Sequence, residues 1–270
     1  MWFLLGCAIG IALGYLFVRY RQSKPEKYLS MTEYWVYLPG EKLPPQDEVM
    51  SLLLQGNSPV GPGEGLLLSD IRLHVALVLR SKNAHVFRPD LFDEHIEPTA
   101  DVLRGLAECQ SIAKIRYISE IELPNDSHLQ LLPYLAYAYA KLGDGKVVYD
   151  CTAEKLLTVS QLAEMLKLDR NARRPDVHLQ TIWRTTENGG RAETRGLVKK
   201  GIPELVTADV AVDERLLVTA LLSDAAERLW NKGKTETMIE LESFSDRFQM
   251  LVAPAVKGKS LVRILRVQST

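Results

Sequence analysis

The chain has 270 residues, and its 33 Lys and Arg against 34 Asp and Glu give a formal net charge of −1. Hydrophobic residues make up 46% and charged residues 25%, the balance of a globular chain of one or two domains. This excludes a disordered or collagen-like chain. Three cysteines are too few for a disulfide scaffold, and a near-neutral balance argues against a dedicated nucleic-acid binder.

The chain opens on an uncharged, apolar run from Met1 to Val18. About 18 helical residues span roughly 27 Å, close to the hydrocarbon thickness of a bilayer. Trp2 at one end and Tyr15, Phe17 and Tyr20 at the other suit the two interfaces. No Lys or Arg precedes the run and no small-residue cleavage site follows it, so an uncleaved transmembrane anchor over residues 1–22 is expected rather than a signal peptide. Gly6, Gly10 and Gly14 share one helix face as two overlapping G-x-x-x-G units, a surface for a second copy or another membrane protein. Arg19, Arg21, Lys24 and Lys27 follow the run and would meet anionic lipid headgroups. The same charges predict a single-pass protein of the cell membrane, N-terminus outside and C-terminal domain cytoplasmic. Residues 23–30 form a basic juxtamembrane linker.

The remainder reads as α+β, a mixed or antiparallel sheet domain with helices, in one unit or two packed halves. An α/β-type half covers residues 31–168. Strands are predicted at 33–38, 71–79, 114–123 and 146–149, and helices at 46–55, 99–109, 128–142 and 160–168. The second half of the 71–79 strand reads as buried on both faces. A hairpin-rich α+β half covers residues 169–270. Asn188-Gly189-Gly190 between 177–187 and 191–198 is the strongest hairpin signal. A long helix at 213–230 and strands at 237–242, 248–253 and 261–267 complete it.

Motifs that carry chemistry are sparse. There is no G-x-x-x-x-G-K-[ST], no G-x-G-x-x-G after a strand, no C-x-x-C and no H-E-x-x-H, so no cofactor and no metal are expected. The cluster His85, Asp90, Asp93, Glu94 and His95 reads as an acidic helix start. Asp150-Cys151 at a strand end is the best nucleophile candidate, with His128 or His178 as its base. A small buried cysteine is the plainer reading.

The hairpin holds the best binding candidates. Leu179, Trp183 and Val198 fall on one face, with Gly196 leaving room opposite the indole. The other face carries His178, Gln180, Arg184, Glu193, Arg195 and Lys199. His178, Arg184, Glu193 and Arg195 are the expected ligand- or partner-binding set, the two arginines gripping an anion or carboxylate. Arg170, Arg173 and Arg174 before the hairpin, and Lys257, Lys259, Arg263 and Arg266 after it, extend the positive field. Glu204, after Gly201 and Pro203, reads as a cap on backbone N–H groups. The expected protein is a membrane-anchored binding domain held near the inner leaflet, without a nucleic-acid partner. The alternatives are a tethered hydrolase using Asp150, Cys151 or Glu193, and a structural subunit of a membrane complex.

Overall fold

The computed structural model describes residues 29–267 apart from 57, 89, 91, 93–95, 168–169, 188 and 244–245. The chain is α+β with two sheets. The first has the order β2-β3-β1-β4-β5, built from β1 (Ser30–Leu38), β2 (Leu73–Leu79), β3 (Ser111–Ser119), β4 (Val147–Asp150) and β5 (Lys155–Thr158). All its pairings are antiparallel. In β1, Tyr34, Val36 and Leu38 face one way and Tyr37 the other, the period-two alternation of a strand covered on both sides. One face packs on α1 (Gln46–Leu54), α3 (Ser127–Leu142) and α4 (Val159–Lys167). The other face is covered in part by α2 (Ala100–Glu108), whose Val102 and Leu106 meet Tyr37 and Ile112. Thr99 caps α2 by accepting the Val102 N–H at 3.4 Å.

The second sheet has the order β6-β7-β8-β11-β10-β9. Its strands are β6 (Gln180–Thr186), β7 (Gly189–Arg195), β8 (Glu204–Thr207), β9 (Met238–Ser243), β10 (Asp246–Val252) and β11 (Lys259–Val267). β8 and β11 run parallel and the other pairs antiparallel. The 18-residue α5 (Arg215–Lys232) lies on one face and buries Leu221, Leu222, Ala225, Leu229 and Trp230. Leu129 of α3 enters this second core, so the two sheets share one interior wall.

Several expectations need correction. No helix among the described residues is long and apolar enough to cross a membrane. α3 has 16 residues, short of the ~20 a span requires. α5 carries Arg215, Asp224, Glu227, Arg228 and Lys232. The transmembrane element of the expected fold class, and the single-pass membrane character resting on it, is therefore not upheld. Residues 1–22, with Gly6, Gly10, Gly14, Arg19 and Arg21, lie outside the described residues, as do Lys24 and Lys27. β2 is an edge strand with no fully buried residue, because β3 is its only neighbour. The second arm of the hairpin ends at Arg195, and Leu197–Lys200 is a 3-10 turn. The glycine beneath the Trp183 indole is Gly190, where an added Cβ would lie 2.4 Å from the ring. Gly196 instead turns the chain at φ 105° against the His178 carbonyl.

Candidate functional site

Period-two alternation sends Arg191, Glu193 and Arg195 of β7 to the sheet face opposite α5, since Ala192 between them is buried beneath the helix. Arg184 lies directly across from Arg191 in the β6–β7 register. Like charges facing each other repel, so an acid must intervene. Glu193 does so. Its carboxylate lies 2.7 Å from Arg195 Nη2, 2.9 Å from Arg191 Nε, 3.1 Å from Lys259 Nζ and 3.5 Å from Arg184 Nε. A second acid, Glu154, reaches in from the turn between β4 and β5. It meets Arg195 Nε at 2.6 Å and Arg184 Nη2 at 3.5 Å. Burial alone would push the Glu193 carboxyl up, but hydrogen bonds and charge from Arg195 and Lys259 outweigh it and hold it at about 2. All three nitrogens of Arg195 are engaged: Nη1 donates to the Thr194 carbonyl at 2.9 Å while Nε and Nη2 bind the two acids.

A cleft of about 510 Å³ opens beside this cluster, where the β4–β5 turn of the first sheet meets β7, β8 and β11 of the second. Its walls include Met31, Cys151, Glu154, Arg195, Lys257 and Lys259. Glu204 lies at its base and is spent internally. Its carboxylate accepts the Thr194 hydroxyl at 2.7 Å and the N–H groups of Gly196 and Val198 at 2.8 and 3.2 Å. Burial raises its pKa against these hydrogen bonds. The expected capping role for Glu204 matches this geometry.

Behind the cleft, a polar seam joins the two sheets. Lys199 is wholly buried, and its ammonium ion-pairs with Asp150 and lies 3.3 Å from His178 Nδ1. The Lys199 carbonyl accepts the Ser30 hydroxyl at 2.7 Å and faces His128 Nε2 at 2.9 Å. His178 Nε2 contacts the Leu129 carbonyl at 3.0 Å, and its ring stacks on Trp230 at 5.2 Å between centroids. Burial pulls the Lys199 ammonium below the ordinary lysine value, with Asp150 opposing. Burial drives His178 well below the usual histidine range and His128 to about 4, so both rings are neutral at pH 7. Burial also pushes the Cys151 thiol well up, and Glu33 and Asp150 add to this. Cys151 is thus a thiol, not a thiolate, and Asp150 is engaged by Lys199.

Of the four residues expected to bind a ligand, Arg184, Glu193 and Arg195 converge on one cluster. His178 does not: it is buried in the seam on the far side of the β7 turn. Lys257 and Lys259, which the sequence marks only as part of a basic C-terminal stretch, join the cleft. Arg173 and Arg174 do not, because they pair with Glu64, Asp126 and Asp176. Glu154 escapes sequence reasoning altogether. It sits at φ 55° in a tight turn, and nothing in its sequence surroundings marks it.

No protein-family model matches the chain, and neither a curated protein nor a solved structure shows significant similarity to it. The class the coordinates define is accordingly structural: a two-sheet α+β chain with a charged cleft at the junction of its sheets.

Proposed function

We propose that the chain is a binding domain that takes an anionic ligand in the junction cleft. One observation carries this reading. Five cations, Arg184, Arg191, Arg195, Lys257 and Lys259, surround the cleft and its adjoining cluster, while Glu154, Glu193 and Glu204 are the acids there. The acids are already bonded internally, and Lys259 is shared with Glu193 at 3.1 Å, whereas Lys257 at the rim makes no ion pair among the described residues. A ligand carrying carboxylates or phosphates would complete the charge balance. The state of Cys151, Asp150 and the two histidines favours binding over hydrolytic turnover, since no activated nucleophile faces the cleft among the described residues.

Thermal unfolding at low ionic strength, with citrate, succinate or inorganic phosphate added, tests this. A ligand at a hundredfold excess over Kd adds about 2.7 kcal/mol, a shift of several degrees. The wild type is expected to show that shift with at least one anion. The Lys257→Ala/Lys259→Ala variant is expected to lose that shift measured against its own unliganded Tm, which itself falls because the buried Glu193 carboxylate loses the Lys259 donor. No shift with any anion, or an equal shift in the variant, overturns the reading.

A further inference from the structure

The second sheet splits. β8 pairs with β11 only from Glu204↔Lys259 to Thr207↔Val262. Beyond Thr207 the chain leaves β11 and follows β7, where Gly190 and Val210 exchange N–H···O bonds of 3.0 and 2.8 Å. β11 continues to Val267, paired only with β10. The Leu261 carbonyl accepts the Ala253 N–H on the β10 side at 2.9 Å. Alternation therefore turns the N–H and C=O groups of Ile264 and Arg266 away from β10, into the fork.

The fork is a real opening. A cleft of about 490 Å³ occupies it, with Leu217 and Leu221 of α5, Phe248 and Ile264 as its apolar floor. Its outer rim is basic. Val262 and Ala192 belong to the α5-side core, so Arg263 and Arg191 point to the opposite face. The registers Glu193↔Val206 and Val206↔Leu261 put Arg191 and Arg263 in one row, on either side of the fork. Arg191 reaches Glu193, while Arg263 makes no ion pair among the described residues. Asp246 at the rim is paired with Arg266, and Glu214 lies on the helix side.

We propose that this fork receives an extended peptide as an added strand on the free edge of β11, with apolar side chains toward α5 and acidic side chains between Arg191 and Arg263. Each part answers one feature of the fork: main-chain pairing to Ile264 and Arg266, apolar contact with the floor, and charge complementarity at the rim. The two clefts share no lining residue, although Arg191 is tied through Glu193 to the cluster beside the junction cleft.

The probe is a fluorescein-labelled, end-capped Val-Glu-Val-Glu-Val peptide, followed by anisotropy against the full chain. Saturable binding is expected, at least tenfold tighter than for the Val-Lys-Val-Lys-Val counterpart. Arg263→Glu should weaken it at least tenfold, because the exposed side chain contributes to the rim and not to the core. N-methylation of one alternate set of peptide amides should abolish binding, and methylation of the other set should spare it. Lys257→Ala/Lys259→Ala should bind as the wild type does. The proposal falls if no saturable binding occurs, if the lysine peptide binds equally, or if neither methylated set matters. It also falls if only the Lys257/Lys259 variant loses binding, which would move the peptide to the junction cleft. A concentration-dependent dimer dissolved by Arg263→Glu would likewise overturn it, by making a second copy the occupant.

Discussion

Lys199→Met tests the seam that joins the two sheets. Methionine keeps most of the apolar stem but removes the ammonium, leaving the Asp150 carboxylate buried with the Ala153 N–H at 3.0 Å and the Tyr34 hydroxyl beside it but no counter-charge from Lys199. Removing one member of a buried pair costs about 3–5 kcal/mol, because the other charge stays desolvated and uncompensated. For a chain of this size that lowers Tm by about 6–20 °C. The double variant Lys199→Met/Asp150→Asn removes both charges, and the amide oxygen it introduces can still accept the Ala153 N–H. Its loss should be only about 1–2 kcal/mol, since replacing a whole buried pair is often nearly neutral. Urea unfolding at pH 7, read by tryptophan fluorescence from Trp230 and Trp35, gives all four corners of the cycle. Additive losses, with the double variant as unstable as the sum of its singles, would refute the claim that this pair holds the seam.

Two further perturbations follow from named contacts. Burial depresses His128 to about 4 in the folded chain, while the unfolded chain titrates near 6.5. The unfolded state therefore takes up more protons between those values, and stability falls as pH drops from about 6.5 to about 4. His128→Gln should lessen that slope, leaving the share that belongs to His178, with a difference on the order of 3 kcal/mol near pH 4, and parallel urea curves for variant and wild type would count against it. At Gly190 an added Cβ would sit 2.4 Å from the Trp183 indole. Gly190→Ala should cost about 1–3 kcal/mol by overpacking, measured by urea midpoint, and a neutral outcome would show that the indole can shift aside.

The sequence made the hairpin legible because Asn188-Gly189-Gly190 is a turn signal between two alternating stretches, and alternation then puts Arg184, Glu193 and Arg195 on one face whatever lies beyond them. It did not reveal β5, since four residues, Lys155-Leu156-Leu157-Thr158, are too few for a period to show. It misjudged β2, because an apolar run does not say whether a strand is central or at an edge. The opening apolar run pointed to a membrane span, yet none of the helices described has the length and apolarity for one.

By itself the sequence determined which residues share a face and where most helices begin and end, since both follow from local periodicity and from caps such as Thr99. Only the tertiary structure decided which faces meet. Lys199 lies 49 residues from Asp150 and pairs with it across two sheets, while Lys259 reaches Glu193 over 66 residues. The fork at Thr207 exists because β8 parts from a parallel neighbour more than 50 residues later in the chain. Alternation fixes the side of a strand on which a residue stands, but strand order and register are settled by burial and hydrogen bonding over the whole chain, and these bring the charges together.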